Sequence, residues 1–80
     1  MSSWRLSDHV KLQMVERQIT EELIYETLAH PDTIVQGKGK RKIYQKIKSD
    51  KLIRVVTEQE IVITVYLTDK IKKYIKESTS

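Results

Sequence analysis

The sequence predicts an α+β domain: two N-terminal helices on one face of a four-stranded antiparallel sheet, with a short C-terminal helix. Three observations carry this. Apolar residues recur at helical spacing before Pro31 and at a spacing of two after it. Two β-branched runs, Leu52–Thr57 and Ile61–Leu67, are separated only by Glu58-Gln59-Glu60, as in a hairpin. The 80 residues contain no repeat or linker, so 1–80 reads as one domain with a core at 7–76 and a frayed tail at 77–80.

Each element has its own signature. Ser7 caps the first helix, and Asp8 sits in the first turn, where the helix dipole favours an anion. Val10, Leu12, Met14 and Val15 carry that helix to about Arg17, and Gln18-Ile19 interrupts it. Thr20 caps a second helix, with Glu21 and Glu22 in its first turn and Leu23, Ile24, Thr27 and Leu28 as its apolar stripe. It stops at Pro31, because the residue before a proline resists α geometry. Thr33–Gln36 is then a short strand, Gly37-Lys38-Gly39 a glycine loop, and Lys42–Lys48 an alternating strand. After the hairpin, Thr68 caps a basic helix whose inward residues are Ile71, Tyr74 and Ile75.

Side-chain parity gives a register, since a slip of one residue would turn every core residue outward. With Glu58–Glu60 as the loop, Val55 pairs with Ile63 and Arg54 with Thr64. Ile53, Val55, Ile61, Ile63, Val65 and Leu67 then line the core face. For the preceding hairpin, a two-residue Ser49-Asp50 turn puts Lys46 beside Ile53 on that face, whereas a loop through Lys51 pairs Lys46 with Arg54. The second is preferred, because a buried, unpaired lysine costs several kcal/mol. The face away from the core then shows a row Lys46–Arg54–Thr64 flanked by Tyr44 and Tyr66.

Charge points to the same face. Net charge is +4, but residues 1–36 carry three bases and six acids, and residues 37–80 carry twelve bases and five acids. Eight Lys and Arg lie between Gly37 and Arg54, opposed only by Asp50. A basic, tyrosine-bearing sheet suits a polyanion, and RNA in particular, with Lys42, Tyr44, Lys46, Lys48 and Thr64 as binding residues. A solvated surface or a dimer interface accounts for the same charges. There is no Cys, no signal-peptide pattern and no run of eighteen apolar residues, so a cytoplasmic protein without a membrane span is expected.

For chemistry, His9, Gln13 and Arg17 form one polar helix stripe at spacings of four. A histidine serves as a general base near neutral pH, and an arginine holds a phosphate through two N–H groups. With Arg54, Thr64 and Tyr66 they compose a metal-free RNA-cleaving site, in which the base activates a ribose 2′-hydroxyl and the cations stabilise the phosphate. A surface or capping role for His9 is the plainer reading. The two His lie far apart and no carboxylates have ligand spacing, so neither metal nor cofactor is expected. Gly37-Lys38-Gly39-Lys40 matches a phosphate loop only in composition.

His9, Gln13, Met14, Arg17 and Ile19, then Ile24, Leu28 and Pro31, Tyr44, the Leu52–Val56 run and Ile63–Tyr66, together carry a resemblance. They resemble a family of small bacterial and archaeal domains of unknown function, distantly similar to the RelE/ParE and BrnT toxins. Members show His, Arg and Arg at spacings of four; here Gln13 stands at the middle position, so one cation of the implied site is missing. The resemblance implies helices packed on an antiparallel sheet and cleavage of ribosome-bound mRNA, neutralised by an acidic antitoxin protein. It also implies His9, Arg17, Arg54 and Tyr66 as the catalytic residues. The expectation is a metal-independent endoribonuclease of a toxin–antitoxin pair. The alternatives are a non-catalytic RNA- or protein-binding module using the basic face, and a structural domain that dimerises through it.

Overall fold

A computed structural model describes residues 4–79, with side chains to residue 75. The elements are β1 (Arg5–Leu6), α1 (Asp8–Arg17), α2 (Glu21–Ala29), β2 (Thr33–Gln36), β3 (Arg41–Lys48), β4 (Lys51–Glu58), β5 (Ile61–Thr68) and α3 (Ile71–Thr79). The sheet has five strands in the order β1-β5-β4-β3-β2. β1 runs parallel to β5, with Arg5 opposite Ile61 and Leu6 opposite Val62, and the other neighbours are antiparallel. The expected four-stranded antiparallel sheet is therefore corrected to a five-stranded mixed one. A two-residue strand has no period to detect, so its place is decided by tertiary pairing alone. The frayed tail expected at 77–80 falls where side chains, and for Ser80 the backbone, lie outside the described residues.

The helix ends follow their caps. The Ser7 hydroxyl accepts the Val10 N–H at 3.1 Å, and Thr20 does the same for Leu23. α1 ends where Gln18 turns left-handed, at φ 55°, with the N–H groups of Gln18 and Ile19 both directed to the Met14 carbonyl. Glycine takes that conformation without steric cost and is the usual residue there. Gln18→Gly is thus expected to raise stability by about 0.5–1 kcal/mol. The rise would appear as a higher urea midpoint at unchanged slope.

α1 and α2 cover the first sheet face. Val10, Ile19, Ile24 and Leu28 meet Ile53, Val55, Val62 and Val65 there, and the Trp4 and Tyr44 rings pack edge-to-face at 5.6 Å. α3 lies on the second face, where its Tyr74 ring stacks on Arg54. The open second face expected from sequence is thus partly roofed.

Both hairpin registers differ from expectation. β3 and β4 close with Lys48 opposite Lys51, and β4 and β5 with Glu58 opposite Ile61, each over a two-residue turn that opens on a left-handed residue, Ser49 or Gln59. A bulge between Val56 and Thr57 then shifts β5, so that Val56 faces Thr64 and Thr57 faces Val62. Consequently Arg54 lies opposite Gln45 and Tyr66, not Lys46 and Thr64. Lys46 stands opposite Ile53, the arrangement the burial argument rejected. It is not left unpaired, because its ammonium donates to the His30 carbonyl at 3.0 Å at the end of α2. A long aliphatic stem lets lysine cover apolar surface while its charge caps a helix C-terminus.

Candidate functional site

The register sets four polar residues in one row across the second face: Thr33, Gln45, Arg54 and Tyr66, one from each of β2 to β5. Their side chains bond in sequence. Gln45 Nε2 donates to Thr33 Oγ1 at 2.8 Å, and Arg54 Nε donates to Gln45 Oε1 at 2.7 Å. Arg54 Nη1 donates to the Tyr66 hydroxyl. The Tyr74 ring centre lies 3.9 Å from Arg54 Cζ, and that of Tyr66 lies 5.5 Å away. Gln45 is 0% exposed and Arg54 9%.

Every described partner of Arg54 is neutral. Among the described residues no carboxylate stands within ion-pair distance of it. Among the described residues, two of its five N–H groups are bonded and no buried side-chain polar atom lacks a partner, so those residues leave the remaining guanidinium edge accessible. Burial pushes the Tyr66 hydroxyl above its ordinary value, and this outweighs the pull of the neighbouring Arg54. Tyr66 therefore stays neutral at physiological pH and does not cancel the arginine charge.

A second cluster lies at the sheet edge. β1 covers only the start of β5, and further along α1 takes over. Gln13 Oε1 accepts the Val65 N–H and the Thr64 hydroxyl, each at 2.9 Å, and Arg17 donates to the Val65 carbonyl at 2.8 Å. Two side chains one helical turn apart thus satisfy both backbone groups of Val65, as a neighbouring strand would. Gln13, 6% exposed, is an edge cap.

These contacts sort the expected site residues. Arg54 and Tyr66 touch directly. Arg17 joins them through Val65, the residue before Tyr66, and Thr64 through Gln13. His9 is exposed in the first turn of α1, and no hydrogen bond or ion pair ties it to a described residue, so it is not brought to Arg54. Lys42, Tyr44, Lys46 and Lys48 share the first face with α1 and α2, which corrects their placement beside Arg54. Tyr44 packs on Trp4 and Lys48 lies 3.8 Å from Glu26. The alternation of β3 is as read from sequence but its sides are exchanged, because the tyrosine, not the isoleucines, faces the main core.

Sequence reading missed Gln45, although a trace of it was present. Ile43, Gln45 and Ile47 share one parity, and an amide between two isoleucines marks a buried polar position. The stacking of Tyr74 on Arg54 had no local trace, since it depends on which face α3 covers. Among the described residues no group of three or more His, Cys, Asp and Glu is placed to hold a metal ion. Nor, among those residues, is any helix long and apolar enough to cross a membrane.

Residues 6–67 match the model of a family described as Domain of unknown function (DUF4258). The matched span includes the Gln45–Arg54–Tyr66 row and the α1 edge cap, and stops before α3. No curated protein and no solved structure matches the chain.

Proposed function

We propose that this chain, which belongs to the DUF4258 family, binds single-stranded RNA on its second sheet face, with Arg54 and Arg17 as the phosphate-holding cations. The observation that carries this reading is the Arg54 guanidinium, 9% exposed and met, among the described residues, only by neutral groups. Taking a cation out of water without a counter-charge costs several kcal/mol, and an entering anion recovers much of that cost. A guanidinium fixed in orientation, with free N–H groups along one edge, fits a phosphate through two parallel bonds. Exposed Lys70, just before α3, and Lys72 and Lys73 on it extend the positive surface beside it. Tyr66 and Tyr74 supply ring faces for unstacked bases, which favours a single strand over a duplex.

A second reading is the metal-independent endoribonuclease of a toxin–antitoxin pair, acting in the cytoplasm on ribosome-bound mRNA and neutralised by an acidic antitoxin. The contact path from Arg17 through Val65 and Tyr66 to Arg54 favours it, because α1 also carries His9, two turns before Arg17. In that reading His9 takes the 2′-hydroxyl proton while Arg17, Arg54 and Tyr66 hold the phosphate. The resemblance to RelE/ParE and BrnT toxins supports this reading, and the exposed position of His9 in the first turn of α1 favours binding alone.

One experiment separates them. Purified protein is incubated with labelled RNA, with and without ribosomes, and cut ends are sequenced. Binding without cleavage is expected, weakening with salt, and Arg17→Ala should lower affinity and reduce the log–log salt slope by about one. Cleavage that disappears in His9→Ala would select the endoribonuclease. RNA neither bound nor cut at low salt contradicts both readings.

A further inference from the structure

Gln45 decides whether Arg54 is a strut or a receptor. A buried arginine that serves only packing is best met by a carboxylate, which cancels its charge while filling its hydrogen bonds. The side chain opposite Arg54 is a neutral amide, wholly buried. Its orientation is fixed from both sides: Arg54 can only donate, so it faces Oε1, and Nε2 is bonded to Thr33 Oγ1. Glutamate has the same shape and would suit both neighbours, since Arg54 Nε and a reoriented Thr33 hydroxyl would each donate to it. The amide holds the guanidinium in position, and no described residue cancels its charge. Tyr66 is neutral as well, and Tyr74 covers the flat face of the guanidinium, not its edge.

We infer that Gln45, Arg54 and Tyr66 form a receptor for one phosphate-type oxyanion, entering along the open guanidinium edge, and that Gln45 is the residue that keeps the receptor charged. The inference names a phosphate subsite within the RNA reading, and rests on that reading only for what carries the phosphate.

The test compares wild type with Gln45→Glu and Gln45→Met in thermal melts with inorganic phosphate against chloride at equal ionic strength, and in titrations with a short single-stranded RNA. Phosphate is expected to raise the Tm of wild type and not of Gln45→Glu. Without phosphate, Gln45→Glu should melt a few degrees above wild type, because its carboxylate pairs with Arg54. Its RNA affinity should fall about tenfold or more. Gln45→Met, which melts lower and no longer holds the guanidinium, should show a weaker phosphate response than wild type but not the complete loss of Gln45→Glu, which separates charge from volume. Equal loss in both variants would overturn charge as the determinant. A phosphate response that survives in Gln45→Glu, or is missing from wild type, overturns the receptor. RNA bound equally by wild type and Gln45→Glu also overturns it, while leaving RNA binding through Arg17 intact. A Gln45-dependent phosphate response in a protein that binds no RNA keeps the receptor and removes the RNA reading.

Discussion

Gln13→Leu is expected to lower stability by about 2–3 kcal/mol and to open the edge of β5. Leucine fits the buried position but accepts no hydrogen bond. The Val65 N–H, now bonded to Gln13 Oε1 at 2.9 Å, would be left buried and unpaired, and the Thr64 hydroxyl would lose its acceptor. Each such loss costs the desolvation of a polar group, typically about 1–3 kcal/mol. Urea titration would show the loss, and hydrogen exchange would locate it, with the Val65 amide protected in wild type and fast in the variant. Gln13→Glu should lose less, because its carboxylate still accepts from both donors. If Gln13→Leu melts with wild type, α1 does not cap the sheet edge through this amide.

Arg54→Met is expected to have a large effect on binding and a small one on folding. It removes a buried cation, which is often neutral or stabilising when packing is kept, and the thioether can still lie against Tyr74. Against that gain, Gln45 Oε1 loses the donor that Arg54 Nε provided. The two terms oppose at similar size, so net stability should change by no more than about 1 kcal/mol. RNA affinity, by contrast, should fall by about 1–3 kcal/mol, roughly five- to more than a hundredfold. Arg54→Ala would not separate the two effects, because it also leaves a cavity under Tyr74.

Much of the architecture was legible in the sequence because it is local. Ser7 and Thr20 announce the helix starts, Pro31 marks the change to strands, and α1 ends at Arg17 as its spacing predicts. The alternation of β4 also assigned Ile53 and Val55 to the core and Arg54 to the opposite face. What was not legible depends on distant partners. β1 exists only because β5 offers it an edge, and the bulge beside Thr57 moves Arg54 from Thr64 to Tyr66. Lys46 tolerates the core face only because α2 ends within reach of its ammonium. At the site, Arg54 and Tyr66 were found from charge and ring chemistry. Gln13 stood out only as a member of the polar stripe and the place of a missing cation, and Gln45 left no more than its parity between two isoleucines, since the bonds of an amide show only once its partners are in place.

The most direct test of Arg54 as a receptor measures RNA affinity and melting temperature of wild type and Arg54→Met in one low-salt buffer. The account predicts a variant that melts within a few degrees of wild type, binds RNA at least about fivefold more weakly, and loses about one phosphate contact from the salt slope. A variant that binds RNA as wild type does, with the same salt slope, would contradict it, and Arg54 would then be a structural strut beneath α3.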